Sequence, residues 1–107
     1  MSVPSQLDNV SVVTKANVYF DGNVVSHSVN YPDGTKKSIG LIFPGSYNFN
    51  TEAPERMEIV AGTCRAQVAG ESEATVYEAG SHFDVPGNSS FDIEVESGVA
   101  EYVCSFK

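Results

Sequence analysis

Tryptophan is absent from this 107-residue chain, cysteine occurs twice, and six lysines and arginines stand against fourteen aspartates and glutamates. So few cations exclude the usual polyanion binders, because capturing a phosphodiester backbone depends on neutralising it with Lys and Arg. Nucleic acid and anionic membrane surfaces are not expected partners. The imbalance is local: up to residue 50, Asp8, Asp21 and Asp33 cancel Lys15, Lys36 and Lys37, so the formal net charge of −8 arises entirely beyond that point. Long apolar runs are missing as well, and nothing approaches the ~20 residues that cross a bilayer. The opening Met1-Ser2-Val3-Pro4-Ser5-Gln6 has neither the basic nor the apolar stretch of a secretory leader. The expected compartment is the cytoplasm.

Cys64 and Cys104, with 39 residues between them, form neither a dithiol motif nor a zinc pair. They are expected as reduced, buried strand residues, with a disulfide between neighbouring strands as the alternative. The Asn-x-Ser matches at Asn9 and Asn88 carry no meaning in a cytoplasmic protein. His27 and His82 are isolated, with no His-x-His, Glu-x-x-His or cysteine cluster, so no metal site is expected.

Helical spacing is also lacking, and what recurs is alternation by two. Phe91, Ile93 and Val95 alternate with Asp92, Glu94 and Glu96; Ile39, Leu41 and Phe43 share one face, and Tyr102, Cys104 and Phe106 another. Turn signals such as Asp21-Gly22-Asn23, Pro32-Asp33-Gly34, Pro44-Gly45 and Pro86-Gly87-Asn88 separate short runs. Together they predict an all-β domain over 9–107, a jelly-roll barrel of roughly ten short antiparallel strands, behind a loose tail at 1–8. The strands are expected near 9–14, 17–20, 24–31, 36–43, 46–50, 56–61, 63–69, 74–78, 82–85, 90–96 and 100–106.

Most of the acid is expected to be a solvated surface: Asp92, Glu94 and Glu96 on a strand's outer face, Glu71 and Glu73 in a hairpin loop. Glu55 differs. Counting by two places it with Met57 and Ile59 on an inward face, opposite Arg56 and Glu58, and a carboxylate facing an apolar interior needs a partner or a proton. A second small, polar face carries Lys36, Ser38 and Gly40, where a strand glycine marks close approach of either a ligand or another backbone.

These residues carry a resemblance. Gly80-Ser81-His82-Phe83-Asp84-Val85-Pro86-Gly87 resembles the second conserved motif of cupins, and Gly45, Glu55 and Gly62 resemble the first. Where cupins place metal-binding histidines, this chain has Asn48 and Asn50, or Phe49 and Thr51, and then Ser90 or Phe91, so metal-dependent cupin chemistry loses its basis. Tyr19-Phe20-x-Gly22, Ser38-x-Gly40, Gly45-x-Tyr47-x-Phe49, Pro54-Glu55-x-Met57, Tyr77-Glu78-Ala79-Gly80, Phe83-x-Val85-Pro86-Gly87 and Tyr102-x-Cys104 together resemble the small cupin-fold pyrimidine/purine nucleoside phosphorylases. That resemblance implies cleavage of nucleosides by phosphate to a free base and ribose 1-phosphate, inorganic phosphate as co-substrate with no further cofactor, and a homodimer. Phosphate is then the nucleophile, so a missing serine or cysteine nucleophile says nothing. Lys36, ahead of Arg56, is the expected phosphate cation and Ser38 a donor; Glu55 is expected to hold the ribose hydroxyls or assist the base; Tyr47, Phe83 and Tyr102 are expected to wall the base. The competing expectation is a non-catalytic, metal-free cupin that binds a small ligand or serves as a dimeric interaction module.

Overall fold

The computed structural model describes residues 3–107. Eleven strands follow in order: β1 (Ser11–Val12), β2 (Asn17–Tyr19), β3 (Val24–Asn30), β4 (Lys36–Ile42), β5 (Gly45–Asn50), β6 (Glu55–Ala61), β7 (Thr63–Val68), β8 (Thr75–Glu78), β9 (His82–Val85), β10 (Ser90–Val95) and β11 (Ala100–Phe106). One short 3-10 turn, Phe20–Gly22, lies between β2 and β3. Each expected strand forms within a few residues of its expected bounds. The first is the most reduced, a two-residue edge that begins after Asn9, whose φ of 57° interrupts extended backbone.

Strand pairing is antiparallel and divides into two sheets. A seven-stranded sheet runs β1-β3-β4-β11-β6-β9, with β2 also on the edge of β3, and a four-stranded sheet runs β5-β10-β7-β8. The two sheets face each other as a jelly roll, and their inward residues make the core, with Val24, Ile42, Ile59, Val85, Ile93 and Val95 essentially closed to solvent. Alternation explains why both sheets have one apolar face: along β10, Phe91, Ile93 and Val95 are buried, while Asp92 is bonded at the surface by Asn48 (2.8 Å) and Glu94 is paired with Arg65 (3.6 Å). The acids of this strand are a solvated face, as their spacing predicts.

Residues 1–2 of the expected tail lie outside the described residues. Pro4 to Leu7 run beside the outer face of the seven-stranded sheet and help line a groove of about 420 Å³ there. Cys64 and Cys104 are free, buried and in opposite sheets, so the disulfide alternative does not form. Burial pushes the Cys64 thiol up to about 11, and the Cys104 thiol higher still.

Candidate active site

The register of the seven-stranded sheet gives every inward side chain an address. At one end of the sheet Asn30 pairs with Lys36, and Phe106, Glu55 and Val85 form a row; the next row reads Ser28, Ser38, Cys104, Met57, Phe83; the third reads Asn17, Ser26, Gly40, Tyr102, Ile59. The first row is the rim of the sandwich, and the polar residues of the other two sit just inside it. Behind that rim lies a cavity of about 200 Å³, whose lining includes Ser26, Ser38, Glu55, Tyr102, Cys104 and, from the other side, Phe49. Small-molecule sites are commonly about 300–1,000 Å³, so a nucleoside-sized ligand would fill this one and project through its mouth. The groove on the outer face is larger but mostly apolar, and its lining includes neither Glu55 nor Ser26, Ser38 or Cys104.

Glu55 is half-buried at the start of β6. Burial holds its carboxyl above the usual carboxylate range, opposed by a weaker effect, the Cys104 thiol, which donates to its Oε1 at 3.5 Å. The thiol stays protonated, so it remains a donor. Ser38 is buried beside the same sulfur. One row deeper, Asn17 Nδ2 donates to Ser26 Oγ and Ser28 Oγ, both at 3.3 Å, and Ser26 shares the cavity lining with Tyr102. Tyr102 is fixed from below by Gly40: a Cβ there would meet its Cζ and Oη at 2.7 Å. The glycine in β4 therefore makes room for a neighbouring ring rather than for a ligand. Burial pushes the Tyr102 phenol well above its ordinary range, and it stays a neutral donor.

Of the residues expected at the site, Glu55, Ser38 and Tyr102 meet in the cavity. Lys36 is exposed on the rim, one step beyond Ser38 on the same face. Arg56 points outward, where Nε donates to Asp84 Oδ1 at 2.9 Å. Two of the expected residues, Tyr47 and Phe83, do not line this cavity. Tyr47 lies toward the other end of β5, its hydroxyl directed at the carbonyls of Phe43 (2.8 Å) and Pro44 (2.9 Å). Phe83, on the outlying strand β9, is core, with its ring 4.7 Å from Tyr77 and 5.6 Å from Phe91. Alternation correctly puts both inside, but it does not say which end of the sandwich they reach. Besides Tyr102, the aromatic lining comes from Tyr19, Phe49, Phe91 and Phe106. Phe49 shares its strand face with Tyr47, the one signal that would have found it.

The positions that carry metal ligands in cupins are otherwise occupied. Asn48 is bonded at the surface to Asp92, Phe49 is aromatic lining, and the Thr51 hydroxyl donates to Pro86 O at 2.7 Å. Among the described residues no group of three His, Cys, Asp or Glu side chains is placed to hold a metal ion.

The family model for pyrimidine/purine nucleoside phosphorylase matches residues 14–106. The chain belongs to the pyrimidine/purine nucleoside phosphorylase family. The member from Cupriavidus necator is 62% identical over 102 residues, 95% of this chain and 96% of that protein. The member from Aromatoleum aromaticum is 59% identical over 106 residues, 99% of each. Among solved structures, a protein of unknown function from Acinetobacter sp. ADP1 superposes with a TM-score of 0.93 at 46% identity, over 97% of this chain and 100% of that one. Oxalate decarboxylase of Bacillus subtilis, a cupin-type protein, shares the fold alone, with a TM-score of 0.75 at 12% identity over 99% of this chain and 31% of that one. Family membership and the jelly-roll fold thus agree with the motif order along the chain.

Proposed function

We propose that this protein is a nucleoside phosphorylase: phosphate oxygen bonds to the anomeric carbon of a purine or pyrimidine nucleoside, the carbon–nitrogen bond breaks, and free base and ribose 1-phosphate leave. The observation that supports this reading is that the half-buried carboxylate Glu55 and the buried Ser38 line one cavity, with the exposed cation Lys36 two residues before Ser38 on the same strand face. Glycosyl transfer passes through an oxocarbenium-like state, which a nearby anion stabilises. Glu55 accepts from the ribose hydroxyls and faces that developing positive charge. Lys36, reaching over Phe106, holds phosphate at the mouth, Ser38 donates to a phosphate oxygen, and Tyr102 donates to the sugar. No metal or organic cofactor takes part.

One observation favours a second reading. The cavity lining itself contains a carboxylate and no Lys or Arg, as suits a non-catalytic pocket for an uncharged ligand. Incubating the protein with inosine, with and without phosphate and with a chelator, decides between them. Phosphorolysis requires hypoxanthine release that depends on phosphate and survives chelation; release without phosphate means a hydrolase, and no release leaves the binding reading.

The protein works as a cytoplasmic homodimer in this reading. Ile39, Leu41 and Val60 are each more than a third exposed on the outer face of the seven-stranded sheet. The charged residues around them balance, Lys37, Arg56 and Lys107 against Glu58, Asp84 and Glu101, while the outward acids of β10 lie on the opposite sheet. Two copies joined through the apolar face keep their acidic faces apart. Light scattering checks this, and a Leu41→Glu variant of unchanged mass excludes that face as the interface.

A further inference from the structure

With Tyr47 and Phe83 outside the cavity, Tyr102 is the one expected wall ring left in it. We infer that Phe49 is the ring on which the base stacks, and that the turn Phe20–Gly22 is a strained brace that sets the angle of that ring. This inference rests on the phosphorolysis reading above, but its binding arm does not.

Phe49 is half-buried and lines the cavity, so part of its ring is open to a ligand. The rest is held by other rings: Phe91 is stacked on it at 5.5 Å and 23°, Phe20 meets it at 5.3 Å and 86°, and Tyr19 at 6.1 Å and 83°. A ring fixed on several sides loses little freedom when a base lies on it. A hydrocarbon ring also has no donor or acceptor with which to choose among base edges, and every base has a π-face. A wall of this chemistry accepts purines and pyrimidines alike, with the larger bicycle gaining more contact.

The brace is visible in the backbone. Four non-glycine residues among those described have positive φ; Asn9, Asp21 and Asn88 are of the types that tolerate it, and Phe20, at 52°, is not. A bulky residue persists in this region only when its surroundings impose it, and such positions gather at functional sites. Here Asn23 donates to the Phe20 carbonyl through its backbone N–H (3.1 Å) and its Nδ2 (3.0 Å), and Phe43 N–H donates to Asn23 O at 2.8 Å. The result turns the Phe20 ring back onto Tyr47, at 5.0 Å, and onto Phe49. Tyr19, the residue before it, joins the cavity lining. Phe20 touches no ligand in this arrangement and is a positioning residue.

The test is steady-state phosphorolysis of inosine and uridine, together with calorimetric binding of inosine in the absence of phosphate, on Phe49→Ala, Phe49→Tyr and Phe20→Gly. Phe49→Ala is expected to raise KM for both nucleosides by about tenfold, inosine more than uridine, and to weaken inosine binding by a similar factor while KM for phosphate stays put. Phe49→Tyr keeps near-native values. Phe20→Gly relieves the left-handed backbone, so its melting temperature is held while nucleoside KM rises about threefold. Unchanged inosine binding in folded Phe49→Ala, an equal rise in phosphate KM, or Phe49→Tyr as impaired as the alanine variant overturns the stacking assignment. Native nucleoside KM in Phe20→Gly overturns the brace. A wild-type protein that binds inosine through Phe49 yet shows no phosphorolysis upholds the stacking and sinks the reaction.

Discussion

Lys36, beginning β4, and Glu55, beginning β6, stand at the same end of the seven-stranded sheet with β11 between them. Two strand spacings separate their backbones, about 10 Å, which a lysine stem and a small bound anion can bridge. In the proposed reaction the pair would give the mouth a direction, with phosphate on the β4 side and the sugar's developing positive charge on the β6 side.

Replacing Glu55 by Gln tests the carboxylate half. Burial raises the Glu55 pKa above its ordinary 4.5, so the folded state takes up a proton as the chain folds in the window that opens near that value. Stability is free of this penalty below the window and falls as pH climbs through it. Glu55→Gln is expected to remove that fall and to lower phosphorolysis of uridine and adenosine by more than about tenfold. Melting curves from acidic to neutral pH, with initial rates on the same samples, check both; full activity in a folded variant removes Glu55 from the site.

Lys36 is the cation half. Lys36→Ala is expected to raise KM for phosphate about five- to tenfold and to leave KM for the nucleoside unchanged. Because Lys36 sits on the exposed rim, the wild-type phosphate KM should also climb with salt, and less so in the variant. A change confined to the nucleoside KM assigns Lys36 elsewhere.

Gly40→Ala probes the seat of Tyr102. The new methyl would come to 2.7 Å from the Tyr102 ring and from the Val25 carbonyl oxygen, and the latter belongs to backbone that cannot turn aside. A loss of about 1–3 kcal/mol in denaturant unfolding is expected, as for other overpacked interiors. Activity should fall with it as the phenol is displaced in the cavity, whereas native stability would mean that β4 shifts freely.

Much of this was legible in the residues one by one. Period-two alternation placed Glu55 inward and Arg56 outward, and separated the solvated acids of β10 from its buried Phe91, Ile93 and Val95, because a strand side chain has only two directions to choose from. The same rule fails beyond the single strand. It does not say which of the inward rings of Tyr47, Phe49, Phe83 and Tyr102 reach the same cavity, and it left Gly40 open between a ligand and another backbone.

Jelly-roll connections bring residues far apart in sequence together, and register decides who meets whom. Cys104 meets Glu55 because β11 lies between β4 and β6. Phe49 faces the cavity because β5 belongs to the other sheet and its Asn50 end lies over the rim. Composition, charge, strand number, reduced cysteines and family follow from the sequence alone, since each depends on local pattern or on motif order. The rings that line the cavity, the placing of Lys36 and Glu55 at one end of the sheet and the packing of Phe20 on Phe49 were decided by tertiary structure, because each is a relation between strands and none is a property of one.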